Sequence, residues 1–270
     1  MLRAIISGCN GKMGHVLAAL IDNDNEITTT AGLDAGNVQN NSFPVYSKHK
    51  NCMEEADVII DFSNAEGIDT LLEYAVSRKI PLVIATTGLS SAQMQRIKKA
   101  AKIIPIFQSG NMSVGINLVM KLIEDATRVL QENFDIEIIE KHHNTKVDAP
   151  SGTALMLADS VKSALSDKAE YIYNRTNVRK KRGKNEIGIH SLRGGTIVGE
   201  HSVIFAGPDE IVEINHTALS RNIFGLGAIR AAKYIVKQKP GFYNMKTLIS
   251  DESSSPTPLL KSEKSERNDD

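Results

Sequence analysis

The first half of the chain alternates short apolar runs with amphipathic stretches, and that rhythm leaves few folds open. LRAIIS, EITTTAGLD, ADVIIDF, PLVIAT and IPIFQS read as strands, with MGHVLAALI, GIDTLLEYAVS and SSAQMQRIKKAAK as the helices between them. Val58–Ile60 and Leu82–Ile84 are apolar without alternation, as strands are when crossover helices cover both faces of a parallel sheet. The expected fold class is therefore α/β, a doubly wound parallel sheet. After about residue 114 the rhythm changes. A long helical stretch, Ile116–Gln131, is followed by the strand FDIEIIEKHH, a helix from Ser151, and the runs EIGIHSLR, TIVGEHSVIFA and DEIVEINHTA. Strands that follow one another without helices imply a second, α+β unit with a mixed, largely antiparallel sheet. A final amphipathic helix, Gly225–Lys237, returns to the first unit. The expected division is 1–113 with 221–249 for the first domain, 114–220 for the second, and a disordered polar tail over 250–270.

Composition excludes several classes. The 270 residues can bury a core without staples. No apolar run approaches the roughly 20 residues of a membrane helix, so no membrane association is expected. The start MLRAIISG is too short for a secretory signal and runs straight into a glycine-rich turn, which makes the cytoplasm the expected compartment. Cys9 and Cys52 have no CxxC or zinc-finger spacing, so neither a disulfide nor a metal site is expected. Lys plus Arg and Asp plus Glu number 32 each, which gives no global field toward nucleic acid; any bound anion must be recognised locally.

The strand Ala4–Ser7 runs into Gly8-Cys9-Asn10-Gly11-Lys12-Met13-Gly14 and then a helix, the context a dinucleotide site needs. The spacing is GxxGxxG. Such glycines allow a tight turn, close approach to a pyrophosphate and close helix packing, while the first helical amides face the phosphates. Asn10 tolerates a left-handed conformation. Asp34 ends the second strand and can accept from an adenosine ribose. Ala35 follows it, so no cation stands there to pair with a 2′-phosphate, which leans toward NADH; Lys12 in the turn keeps NADPH open. Asp61-Phe62-Ser63 and Thr86-Thr87-Gly88 fall at strand carboxyl ends, where such sheets collect ligands, although ordinary loop capping also accounts for them.

The segment from Glu140 to Thr153, EKHHNTKVDAPSGT, concentrates chemistry. Pro150 precedes a helix beginning near Ser151-Gly152-Thr153, whose exposed amides make an anion site, and Lys146 adds a full positive charge; together they suit a carboxylate. His142 at the strand end is the natural proton donor at neutral pH. Adjacent His142 and His143 point to opposite faces of a strand and have no third ligand spaced to join them, so metal binding is disfavoured.

EKHHNTKVDAPSGTAL resembles the signature of dihydrodipicolinate reductases, and the motifs GCNGKMG, ATTGL, SGNMSVGIN, RGGTIVGEHSVIFAG, HTALSR and GFYNM follow in the family's order over roughly residues 2–249. The resemblance implies a Rossmann-like cofactor domain and a substrate domain that builds a homotetramer through its sheet. It implies reduction of 4-hydroxy-2,3,4,5-tetrahydrodipicolinate, a small cyclic dicarboxylate, with NADH or NADPH on the route to diaminopimelate and lysine. It makes His142 the acid and Lys146 a carboxylate partner or aid to protonation. Gly152 and Thr153, with Ser151, would bind the other carboxylate, and His143 would help hold substrate. Ser109, Asn111 and Met112 would border the cofactor at the crossing between domains, and Arg221 at the second crossing would assist closure. Many members carry Arg and His where this chain has Asn144 and Thr145, so local positive charge is lower. Rival readings are another Rossmann oxidoreductase, such as an aspartate or homoserine dehydrogenase, and a non-catalytic nucleotide sensor.

Overall fold

The structure, a computed structural model, describes residues 1–36, 39–176 and 179–254. The first sheet comprises β1 (Leu2–Ser7), β2 (Ile27–Leu33), β3 (Val45–Tyr46), β4 (Val58–Asp61), β5 (Leu82–Ile84), β6 (Pro105–Gln108) and β12 (Gly241–Tyr243), in the order β12-β6-β5-β4-β1-β2-β3. All of its pairings are parallel. Helices α1 (Lys12–Asp22) and α6 (Asn222–Ile235) cover one face, and α2 (Ile68–Arg78) and α3 (Ser91–Ala100) the other. In β1, Ala4 and Ile6 join the core under α1 and α6 while Ile5 joins the core under α2 and α3. Successive side chains point to opposite faces, so a strand covered on both sides is apolar throughout. That is the physical origin of the unalternating runs. The α3 start is fixed by a capping box between Ser90 and Gln93.

The second sheet follows α4 (Val114–Leu130). It contains β7 (Asp135–His142), β8 (Glu170–Ile172), β9 (Glu186–Arg193), β10 (Gly199–Ala206) and β11 (Ile211–Ala218), in the order β11-β10-β7-β9-β8, with α5 (Gly152–Ala164) between β7 and β8 in the chain. One face packs on α4 and α5 through Ile136, Ile138, Ile187, Val203 and Phe205. The sheet is mixed. β10 is antiparallel to β11 and β7, whereas β7 and β8 each run parallel to β9, so antiparallel pairing holds one side of the sheet only. Parallel pairing requires a crossover connection, and α5 supplies it after β7.

Helix α6 packs against α1, and its Ala228, Ala231, Ala232 and Ile235 lie in the core of the first sheet. Helix α7 (Met245–Ser254) then corrects the expected tail at its start. Ser250–Ser254 are helical, because Met245, Leu248 and Ile249 anchor one face in that core while Arg230 pairs with Glu252 and the Tyr234 hydroxyl donates to Asp251 at 2.6 Å. The remainder of the tail, 255–270, lies outside the described residues.

Candidate functional site

At the end of β1 the chain turns at Gly8, whose φ of +78° suits glycine and whose added Cβ would stand 2.8 Å from the Phe62 carbonyl. A Cβ at Gly14 would stand 2.2 Å from the Gly8 oxygen, so α1 reaches the turn only because that position is bare. Gly11 is the extended N-cap of α1 and no side chain caps the helix, which leaves its first turn, with exposed Lys12 and half-buried Met13, facing the turn's concavity without a competing oxygen. Asn10 does not take the left-handed conformation; Gly8 does. Asn10 instead donates its backbone N–H to Asp34 Oδ2 at 3.1 Å and its side-chain amide to the Gly36 carbonyl at 3.2 Å. Asp34 also accepts from Gly36 N at 3.0 Å, so its carboxylate bridges the glycine turn and the end of β2. A cavity of about 510 Å³ opens there, lined by Gly8, Gly11, Asp34, Ala35 and Ser63 among others.

Phe62 and Ser63 also line a neighbouring cavity of about 340 Å³, together with Met13, Thr86, Thr87, Asn111, Met112 and Thr153. The two spaces thus adjoin across the carboxyl ends of the parallel strands, and the bare Gly8–Gly14 turn between strand and helix fits a dinucleotide pyrophosphate. Asp61, fully buried, organises this edge: it accepts from the Ser63 hydroxyl at 2.6 Å and from the Thr86 hydroxyl at 2.6 Å. The Thr86 hydroxyl proton is therefore already committed. Gly88, at φ +73°, is exposed and lies outside the lining residues. Ser109 is buried behind the cavity, donating to the Asn111 carbonyl at 2.7 Å, so its side chain supports the crossing and does not face the opening. Met112 is packed in the core, and a Cβ on Gly227 of α6 would fall 1.7 Å from its carbonyl oxygen.

β7 carries the second half of the site. Its alternation buries Glu140 and His142 on the face toward α5. His142 Nδ1 lies 2.5 Å from Glu140 Oε2, and the His142 ring meets the His201 ring edge-on at a centroid distance of 5.2 Å. Glu140 is wholly buried and also receives both terminal nitrogens of Arg193, at 2.8 and 2.7 Å, and Ser151 N at 3.0 Å. Burial alone would raise its carboxyl, but the Arg193 and His142 hydrogen bonds hold it down at about 2. His201, driven down to about 4 by burial first and by His142 next, is neutral at pH 7. Its Nε2 lies 3.0 Å from the Ser151 hydroxyl, while its Nδ1 is buried without a partner.

A helix starts where the sequence placed one, at α5, and its first residues differ in what they face. Ser151 is buried: its hydroxyl accepts from Ala154 N at 3.1 Å and its amide serves Glu140, so it shapes the site from beneath. Gly152 is exposed with open space beside it. Thr153 lines the cavity, its hydroxyl 3.1 Å from Asn111 Nδ2. Lys146 pairs with Asp148 at 2.8 Å, which lowers the Asp148 carboxyl. His143 Nδ1 lies 2.7 Å from the Thr145 hydroxyl, so Thr145 orients the second histidine. Arg221 is the exposed N-cap of α6. Among the described residues no group of three or more His, Cys, Asp or Glu side chains is placed to hold a metal.

Glu140, Arg193, His201, Asp61 and Asp148 all lie inside motifs of the sequence, yet none of them carries an individual role there. One signal was available: Glu140 and His142 are two apart on a strand and must share a face. The Arg193 and His201 contributions come from neighbouring strands, and the motif RGGTIVGEHSVIFAG that holds both does not say that they meet Glu140 and His142.

The chain matches the family model for the N-terminus of dihydrodipicolinate reductase over residues 2–112 and that for its C-terminus over residues 115–249. It is 55% identical over 249 residues to the 4-hydroxy-tetrahydrodipicolinate reductase of Caldanaerobacter subterraneus subsp. tengcongensis, covering 92% of this chain and 98% of that one. The 4-hydroxy-tetrahydrodipicolinate reductase of Clostridium tetani is 47% identical over 250 residues, with 93% and 98% covered. In fold, the chain is similar to a dipicolinate-bound dihydrodipicolinate reductase from Paenisporosarcina sp. TG-14, with a TM-score of 0.79 at 23% identity over 92% of this chain and 99% of the other.

Proposed function

The chain belongs to the dihydrodipicolinate reductase family, and on that premise we infer that its two adjoining cavities and the α5 start reduce 4-hydroxy-2,3,4,5-tetrahydrodipicolinate to 2,3,4,5-tetrahydrodipicolinate, with loss of water, in the diaminopimelate and lysine route. The observation that carries this reading is Thr153: it begins the carboxylate-binding helix, lines the same cavity as Met13, Ser63 and Thr86, and is tied to Asn111 at 3.1 Å. Substrate held at α5 therefore opens onto the strand ends where a nicotinamide belongs. We assign residues 1–113 and 221–249 to cofactor binding and 114–220 to substrate.

A bound nicotinamide supplies hydride to the conjugated ring left when the hydroxy substrate loses water. His142 supplies the proton that completes the reduction. Lys146 exchanges Asp148 for a substrate carboxylate, and Gly152 N and Thr153 hold the other carboxylate at the positive end of α5. His143, oriented by Thr145, borders the same space. Asp34 receives the adenosine ribose; with Ala35 beside it NADH is favoured, and Lys12 keeps NADPH usable. Leu192 and Ile211 are exposed on the face of the second sheet turned away from α4 and α5, which supports assembly as a homotetramer through that face. No helix among the described residues is long and apolar enough to cross a membrane, in keeping with a cytoplasmic enzyme.

The test is a coupled assay in which a dihydrodipicolinate synthase generates substrate from pyruvate and aspartate semialdehyde while oxidation of NADH and of NADPH is followed in parallel. Synthase-dependent oxidation is expected with both. His142→Gln is expected to lower kcat with cofactor affinity unchanged, and Lys146→Ala to raise the substrate KM and slow turnover. Folded protein that binds both cofactors yet oxidises neither would refute the assignment.

A further inference from the structure

We propose that Glu140 is the positioning residue of the reduction site: it turns His142 so that Nδ1 bears a hydrogen and points inward, leaving Nε2 to deliver the proton. The inference rests on the reading of His142 as the acid.

Glu140 is an unusual residue to find on an apolar strand face. Its neighbours on that face, Ile136 and Ile138, pack in the hydrophobic core, and its side chain is fully removed from water. A carboxylate at such a place is tolerated only where its oxygens are satisfied. Here they are. Oε1 takes Arg193 Nη2 at 2.7 Å and Ser151 N at 3.0 Å; Oε2 takes Arg193 Nη1 at 2.8 Å and lies 2.5 Å from His142 Nδ1. The two-pronged arginine keeps the carboxylate ionised, and an ionised carboxylate only accepts. The hydrogen on the contact with His142 must therefore sit on Nδ1, which fixes the tautomer. Arg193 already neutralises Glu140, so the contact aims the imidazole without setting a bare anion beside it.

Two further contacts limit how the ring turns. His201 meets it edge-on, and the other nitrogen, Nε2, faces Gly199, where an added Cβ would lie 3.0 Å away. The same carboxylate holds Ser151 N, the N-cap of α5. One buried group thus fixes both the proton donor and the start of the helix that binds the substrate carboxylate, so the distance between the two is set by Glu140 and not by the connecting loop.

The first measurement uses the wild-type chain: nitrogen NMR of the histidine rings, with His142→Gln supplying the assignment, is expected to show His142 as the Nδ1–H tautomer when neutral. The Nε2–H form would overturn the proposal without any variant at position 140. Second, Glu140→Gln is expected to lower kcat on the order of 10²-fold, within the range that general acid catalysis contributes, with NADH affinity unchanged and the single tautomer lost. Third, the same substitution made in the His142→Gln background is expected to cost no more than about twofold, because a residue that acts through His142 has nothing left to act on. An equal loss in both backgrounds would mark a general packing role and refute positioning. If His142→Gln alone retained full turnover, the acid assignment would fall, and the ring spectrum would still decide how Glu140 holds the imidazole.

Discussion

Gly14→Ala adds one methyl group where the structure has no room for it. The new Cβ would stand 2.2 Å from the Gly8 oxygen, 2.5 Å from the Cys9 oxygen and 2.6 Å from the Cys9 carbonyl carbon. Ordinary contact begins at 3.4 Å, so α1 and the turn must separate by about 1.2 Å, from 2.2 to 3.4 Å. The opposing atoms are backbone, and no flexible side-chain end can swing aside. Overpacking of this kind costs about 1–3 kcal/mol, which for a chain of this size lowers Tm by about 2–12 °C at about 2–4 °C per kcal/mol. The larger effect is expected on binding, because the displaced amides are those proposed to face the cofactor's phosphates. A lost hydrogen bond to a charged group costs about 1.5–3 kcal/mol, so calorimetric titration is expected to show NADH and NADPH both weakened by about 10- to 100-fold. Gly110→Ala is the control: its Cβ meets nothing within 4 Å, and its melting curve is expected to match the wild type. A Gly14→Ala protein that bound both cofactors as the wild type does, with an unchanged Tm, would refute the close approach of turn and helix.

Three other substitutions probe separate parts of the molecule. Gly152→Ala clashes with nothing in the protein, and alanine favours a helix over glycine by about 0.5–1 kcal/mol; steady-state kinetics should show a raised substrate KM with undiminished stability, and an unchanged KM would remove Gly152 from the site. Asp61→Asn keeps the volume but weakens the contacts with the Ser63 and Thr86 hydroxyls; cofactor KM is expected to rise while the substrate KM holds, and the reverse pattern would contradict the placement. The Glu140 carboxyl titrates at about 2 in the folded chain against about 4.3 when unfolded. A depressed carboxyl contributes stability that is present above its unfolded value and lost as pH falls toward the folded one. Melting temperature should therefore drop between about pH 4.5 and pH 2, and less steeply in Glu140→Gln; parallel curves for the two proteins would exclude this source of acid lability.

The first sheet was legible because its physics is local. Runs such as VII and LVI have no polar face to turn outward, and only a strand covered on both sides permits that. The glycine turn was legible for the same reason, since Gly8 and Gly14 answer to backbone geometry within a few residues. Pairing in the second sheet was not, because the alternation in β7 and β9 states which face is buried and not which strand lies alongside. The short strands β3, β8 and β12 are held by neighbours and not by a pattern of their own. Ser250–Ser254 read as tail from composition, yet Leu248 and Ile249 anchor the helix one turn earlier. At the site, chemistry drew attention to His142 and Lys146, while Glu140 passed as an ordinary charge although its place two residues before His142 put both on one face.

β12 pairs with β6 at Gly241 and Pro105, and α6 closes over Ala4, Ile6, Val58 and Phe107. Both pieces follow the entire second sheet in the chain. During synthesis, which delivers the amino end first, the early strands must wait with one face covered by α1 alone and the β6 edge unpaired, the condition in which apolar strands recruit one another between chains. A fragment cut after residue 113 would keep that condition permanently: it would carry the glycine turn and most of the strands and still precipitate for want of a lid made about a hundred residues later. The nucleotide half is therefore completed from the far end of the chain, and it cannot be excised as a module.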